Sequence, residues 1–230
     1  MTFYLIAGAA LLFSMLVQGT LKRTYATWSR VANSAGLEGG RIARTILDAN
    51  QMRPVPVEAV AGRLSDHYDP RSKAVRLSPA VYGVPSVSAM AIAAHESGHA
   101  IQDHVDYGPL ELRTGLAPVA AVGARFGIPA AILGSFTGIP ILVPIGVLAY
   151  VGALLLQFLT LPVEFDASRR ALSELDRLGL MGAEEREGAR KVLRAAAMTY
   201  VAGTATAAGY IFYILLVGGR YLGRGRDRAG

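Results

Sequence analysis

Apolar positions dominate four stretches of the chain and thin out sharply between them. Residues 3–21 are uncharged and almost wholly apolar. A helix of that length rises about 28 Å, close to the thickness of a bilayer's hydrocarbon layer. Lys22 and Arg23 follow the run rather than precede it, which predicts a retained anchor with its N-terminus outside, not a cleaved signal peptide. From Phe126 to Leu161 no charge occurs for 36 residues. One span needs about 20 residues. With Gly134, Gly138 and Pro140 as places to turn, the pattern predicts a tight helical hairpin over 118–137 and 140–161. Met198 to Val217 is the last apolar run, a fourth span whose Gly203 and Ala207 are spaced for a close helix contact. The Gly/Arg tail from Gly218 to Gly230 reads as disordered.

The polar stretches carry shorter periods. Ile42, Ile46 and Leu47 make one apolar stripe, with Arg41, Arg44 and Asp48 off it, which predicts a helix over Glu38–Ala49. Met52 to Val60 alternates between prolines and reads as a short strand. Asp66-His67-Tyr68-Asp69-Pro70 reads as a turn, and Lys73 to Ser78 as a second strand. Pro162 is placed to start a helix, with Glu164 in its first turn. The segment 164–194 then reads as two amphipathic helices separated by Gly179–Gly182. The expected architecture is a mainly α membrane protein in one domain, 1–230. About four transmembrane helices (3–21, 118–137, 140–161, 198–217) alternate with two polar segments, 22–115 and 162–195.

Composition agrees with the bilayer reading. The chain is 52% hydrophobic and only 17% charged, below the usual quarter, with a mean hydropathy of +0.36. It has no cysteine, which excludes disulfides, thiolate ligands and a cysteine nucleophile. The net charge of +6 is mostly arginine and fits cytoplasmic loops better than nucleic-acid binding, for which no basic motif with interleaved aromatics is present. Residues 22–113 carry eleven Lys/Arg and 169–194 carry seven, against four in the tail. The two polar segments are therefore expected on the cytoplasmic side.

The chemistry lies in Ala94-His95-Glu96-Ser97-Gly98-His99-Ala100, an H-E-x-x-H pattern. On a helix, residues four apart return to within about 40° of one face, so His95 and His99 can aim at one point while Glu96 points beside it. Two neutral imidazoles suit Zn²⁺, and the neighbouring carboxylate can take a proton from a water there. The run before His95 is apolar, small and helix-favouring, and Gly98 keeps the turn between the histidines slim, leaving room for a metal or substrate. A two-histidine site needs a third ligand. Glu164 either favours the start of its helix electrostatically or is that ligand, because a membrane hairpin would return it to the side of His95. His67, in an Asp-rich turn, is more at home bonding backbone than binding metal, and His104 is off the metal face. A small zincin-like α+β portion would carry the H-E-x-x-H helix, its edge strand open to an extended peptide.

With these residues in hand, the chain resembles the YugP-like family of neutral zinc metallopeptidases. The resemblance rests on Asp66-His67-Tyr68-Asp69-Pro70-Arg71-Ser72-Lys73, Leu77-Ser78, Ala94 to Gln102, and Leu161-Pro162-Val163-Glu164-Phe165-Asp166-Ala167-Ser168. It implies a metal-dependent peptidase with His95 and His99 as zinc ligands and Glu96 as base. It also implies a distant likeness to enzymes whose third ligand is the Glu of an E-x-x-x-D helix. Here Ser168 stands at the Asp position, so Asp103 or Asp166 is expected to orient the site instead.

The sequence thus points to a membrane-anchored zinc endopeptidase acting on protein or peptide, with Zn²⁺ held by His95, His99 and Glu164. Tyr68, Tyr107 and Arg113 are candidates to stabilise the oxyanion. Two rivals are an intramembrane metalloprotease and a non-enzymatic scaffold or chaperone with a structural metal. The first wants an acidic ligand within a span, yet no Asp or Glu lies between Glu111 and Glu164. The second wants four protein ligands, and the chain offers three good ones.

Overall fold

The computed structural model describes the backbone of residues 2–139 and 141–226 and the side chains of 5–134, 136–139 and 141–212. In chain order the elements are α1 (Thr2–Trp28), α2 (Gly39–Ala49), β1 (Val57–Ala59), β2 (His67–Asp69), β3 (Ala74–Leu77), α3 (Pro79–Tyr82), α4 (Val87–His104), α5 (Gly108–Thr137), α6 (Leu142–Arg177) and α7 (Ala183–Arg226). The chain is mainly helical, with a small mixed α+β region around α4.

The core forms where the expected amphipathic stripe meets α4. Ile42, Ile46 and Leu47 of α2 are fully buried against Val75, Leu77 and the Met90–Ala94 face of α4. Burying each large aliphatic chain contributes about 1.5–3 kcal/mol. Ser86 caps α4, its Oγ accepting from Ala89 N at 3.1 Å, which satisfies one of the open donors of the first turn.

The three strands lie in the order β1-β3-β2, with β1 parallel and β2 antiparallel to β3. Two expectations change here. The strand expected from Met52 shrinks to Val57–Ala59, because the earlier carbonyls of Met52 and Val55 turn to accept from the Arg44 guanidinium at 3.0 and 2.6 Å. The expected turn at Asp66–Pro70 is instead the edge strand β2, held by pairing of Tyr68 with Val75.

Three helices among the described residues are long and apolar enough to cross a membrane, those beginning at Leu5, Gly108 and Leu142. Their surfaces expose Leu11, Leu12, Phe126, Phe136 and Leu148, as lipid-facing helices do and water-facing ones do not. The hairpin forms as expected. Its helices meet backbone to backbone: a Cβ on Gly123 would lie 2.2 Å from Ala149 O, and one on Gly146 would lie 2.4 Å from Gly127 O. Gly138 makes the turn in the left-handed region at φ 71°, where glycine pays no Cβ penalty. Pro140, expected to help the turn, lies outside the described residues.

The fourth expected span, 198–217, is not among the three. Its Thr, Tyr and Gly positions lower its hydropathy because one face of α7 packs on protein rather than lipid: Thr204 donates to Gln157 O at 3.1 Å, and Ala202 and Ala207 are buried. The side chains of 213–217 lie outside the described residues. The helix also continues to Arg226, into the stretch expected to be disordered; 227–230 lie outside the described residues. Pro162 does not start a helix either. It sits inside α6, which runs unbroken from Leu142 to Arg177. Having no N–H, Pro162 leaves the Phe158 carbonyl without its helical donor, and the surrounding packing overrides that cost.

The contact that positions everything else is between α4 and α6. A Cβ on Gly98 would lie 2.6 Å from Ala167 O. The slimness of Gly98 is therefore used by the α6 backbone, not by metal or substrate as expected. Replacing Gly98 with Ala should force the helices apart and cost about 1–3 kcal/mol, measured as a lowered midpoint of thermal unfolding in detergent.

Candidate metal centre

Helix α4 presents His95 and His99 one turn apart, with ring centroids 4.7 Å apart and planes at 80°. Helix α6 brings in Glu164, which is 2% exposed. Glu164 Oε2 lies 3.2 Å from His95 Nε2 and 3.6 Å from His99 Nε2. His95, His99 and Glu164 form a cluster whose ligand atoms all lie within 4.8 Å of one another. Zinc bonds of about 2.0–2.1 Å in a tetrahedron put neighbouring ligand atoms roughly 3.3 Å apart. Two nitrogens and one carboxylate oxygen at these spacings suit Zn²⁺ and leave a coordination position open, as catalytic zinc sites require.

Both imidazoles are oriented from behind. Gln102 donates its amide N–H groups to Val163 O at 2.8 Å and Asp166 Oδ2 at 2.9 Å. Its carbonyl oxygen is thereby turned to His99 Nδ1, 3.0 Å away. That oxygen accepts only, so the proton of His99 sits on Nδ1 and the Nε2 lone pair faces Glu164. Ser168 Oγ lies 3.2 Å from His95 Nδ1 and plays the matching part. Of the two aspartates expected to orient the site, Asp166 acts only through Gln102. It is itself held by Arg170 at 2.6 Å and by Arg169. Asp103 faces elsewhere, accepting from Tyr68 Oη and Lys73 Nζ.

Glu164 divides its two oxygens. Oε2 faces the imidazoles while Oε1 accepts from Arg113 Nη1 at 3.2 Å. Burial works to lower the pKa of His99, but its hydrogen bond to Glu164 and the charge of Glu96 outweigh burial and raise it above the ordinary imidazole value. Protons therefore compete with metal for that nitrogen as pH falls.

Glu96 is 8% exposed, and its Oε2 accepts from the backbone N–H of Tyr68 at 2.9 Å. The edge strand β2 thus holds the carboxylate beside the cluster. A cavity of about 300 Å³ opens there, lined on one wall by β2 and on the other by Leu110, Arg113, Thr114 and Ala117 of α5, with Tyr200 of α7 also facing in. Burial, then the hydrogen bond to Asp103, raises the Tyr68 phenol pKa, so it stays a neutral donor. Opposite charges flank the cavity mouth: the Ser72 hydroxyl, then Arg76, hold Asp69 well below the usual carboxylate range.

The structure brings together four of the expected site residues, His95, His99, Glu96 and Glu164, with Arg113 behind Glu164. His67 lines the cavity, but its Nδ1 lies 2.7 Å from Ser65 O and it is not in the cluster. His104 ends α4 and lines a separate hollow behind Tyr68. Tyr107 lies under the Arg170 guanidinium, 5.9 Å from its ring centroid, and not in the cavity. Sequence reasoning missed Gln102, three positions after His99 on the same helix face, where the spacing alone could have found it. It missed Tyr200 too, for which no local signal exists.

Comparison with known proteins agrees with this centre. A family described as "Putative neutral zinc metallopeptidase" matches residues 3–218. The "Putative membrane protease YugP" of Bacillus subtilis (strain 168) is 41% identical over 206 residues, covering 88% of this chain and 90% of that protein. No solved structure gives a significant match. With a His/His/Glu cluster suited to zinc on a multi-pass helical scaffold, and with that match across nearly the whole sequence, the chain belongs to the neutral zinc metallopeptidase family as a membrane-associated, zinc-dependent peptidase.

Proposed function

We propose that the chain works as one membrane-integrated unit, an endopeptidase whose active site faces the cytoplasm, with His95, His99 and Glu164 as ligands and Glu96 as general base. The observation that carries this reading is the convergence of the His/His/Glu cluster, a tethered Glu96 and an edge strand on one cavity. Zinc, when bound, supplies Lewis-acid polarisation of the scissile carbonyl and of the attacking water. Glu96, with Oε2 fixed by Tyr68 N–H, takes a proton from that water and later delivers it to the leaving amine nitrogen. The edge strand β2 offers backbone groups along which an extended peptide can lie. Arg113 keeps Glu164 turned so that one oxygen faces the histidines. Of the three candidates for stabilising the oxyanion, Arg113 and Tyr68 line the cavity. The phenol of Tyr68 is engaged by Asp103, which favours Arg113.

The orientation rests on charge. Eleven Lys/Arg in 22–113 and seven in 169–194 flank the hairpin, and such residues stay cytoplasmic. The hairpin also returns Glu164 to the face holding α4. A single crossing would leave it about 30 Å away, across the hydrocarbon.

Three outcomes are expected. Glu96→Gln should lower peptide turnover by about 100- to 10,000-fold while zinc content, read by metal analysis, stays near one per chain; near-normal turnover would remove Glu96 as the base. A chelator should strip zinc and activity together from the detergent-purified protein, and added zinc should restore both, whereas full activity in metal-free protein would contradict a zinc enzyme. In this cysteine-free chain, single cysteines at Ser72 and Ala183 should react with impermeant reagents from the cytoplasmic side only, and one at Gly138 from the outside only. Labelling of 72 and 183 from opposite faces would overturn the orientation.

A further inference from the structure

A second polar hollow lies away from the active site, between α1 and α7. Thr20, Arg23, Thr24, Thr27 and Trp28 of α1 line it, with Lys191, Arg194, Ala195 and Met198 of α7. Its volume is about 500 Å³. Three cationic side chains face it, and no carboxylate is in the lining.

The two helices run antiparallel and in step. A Cβ on Gly188 would meet the Trp28 ring at 2.5 Å, and one on Gly209 would meet Ile6 Cγ2 at 3.0 Å. Moving 22 positions down α1 thus matches moving 21 up α7, which places Arg23 level with Arg194. On α1 this is where the apolar run ends and charge begins. On α7 Arg194 is the last charge before the apolar stretch. Both helices therefore cross from polar layer to hydrocarbon at the same level, and the hollow sits on that boundary. Trp28 lies beside it, as aromatic residues do at membrane interfaces.

The polar groups there are available. Among the described residues neither Arg23 nor Arg194 has a carboxylate partner. Lys191 has a loose, exposed pairing with Glu187 at 3.6 Å and lies 6.0 Å from the Trp28 ring centroid. The hydroxyls of Thr20 and Thr27 bond back to their own helix, whereas Thr24 makes no such bond. Below the cations, Thr20, Ala195 and Met198 continue the hollow toward the apolar side. The headgroup level is thus cationic with a spare hydroxyl, and the acyl level is small and apolar.

We propose that this hollow binds the phosphate of an anionic membrane phospholipid, held by Arg23, Lys191 and Arg194, with its acyl chains beside Ala195 and Met198. Free inorganic phosphate presents the same anion without the chains, so the test includes both.

The full chain in nanodiscs of phosphatidylcholine, with or without phosphatidylglycerol, is assayed for retained lipid by native mass spectrometry after gentle release. Phosphatidylglycerol should be retained over phosphatidylcholine. Arg23→Gln, Lys191→Gln and Arg194→Gln should each weaken that retention about fivefold, and Arg194→Lys should restore most of it. Arg190→Gln removes the same charge from the exposed side of α7, outside the hollow, and should change retention little. Displacement of the lipid by millimolar inorganic phosphate would assign the hollow to a soluble phosphate and overturn the lipid as ligand. Equal losses in Arg190→Gln and the three hollow variants would show diffuse charge attraction and overturn the site. All four single variants should keep wild-type zinc content and cleavage of a soluble peptide, which separates this outcome from failure of the peptidase reading.

Discussion

The backbone contact of Gly98 with Ala167 is the constraint on which the site depends. Helix α4 alone can supply only two imidazoles and a base. The third donor must come from another helix, and it must come close. Because Gly98 has no side chain, α6 slides onto α4 between the two histidines, and Glu164 meets both of them. Every hydrogen bond behind the site then follows from the same approach: Ser168 reaches His95, and Gln102 reaches Val163 and Asp166 on α6.

A carboxylate buried as deeply as Glu164 is costly unless positive charge or hydrogen bonds face it. The protein faces it with two imidazoles on one oxygen and the Arg113 guanidinium on the other. This arrangement ties the chemistry to the membrane architecture. Arg113 belongs to α5 and Glu164 to α6, the two arms of the apolar hairpin, near the ends that leave the hydrocarbon. The close packing of Gly123, Gly127 and Gly146 deep in the hairpin therefore fixes the spacing of Arg113 and Glu164 at its mouth. The α1–α7 pair has the same logic on another side: helices in register bring their charged ends to one level, where a bilayer supplies phosphate.

Much of the centre was legible because it is local. Four-residue spacing places His95 and His99 on one helical face whatever the fold, and the stripe of Ile42, Ile46 and Leu47 foretold the helix that packs against α4. The length of the uncharged run 126–161 required two crossings, since one span cannot use so many residues. Charge asymmetry, proline between strands and the absence of cysteine are likewise properties of the chain itself, and they limited the metal's ligands to histidine and carboxylate.

Tertiary structure decided what depends on partners distant in sequence. Whether Asp66–Pro70 turns or pairs was settled by β3, whose free edge gave Tyr68 a register with Val75 and set its N–H on Glu96. Pro162 stays inside a helix because the packing of α6 outweighs one lost hydrogen bond. The low hydropathy of α7 marks a face turned to Gln157 and α1, a burial that composition cannot report. Ser168 looked like a missing aspartate, yet at the close approach granted by Gly98 a hydroxyl is long enough to reach His95. Residue type and spacing determined which atoms could bind a metal; the distance between two helix backbones decided which of them do the binding and which hold the others in place.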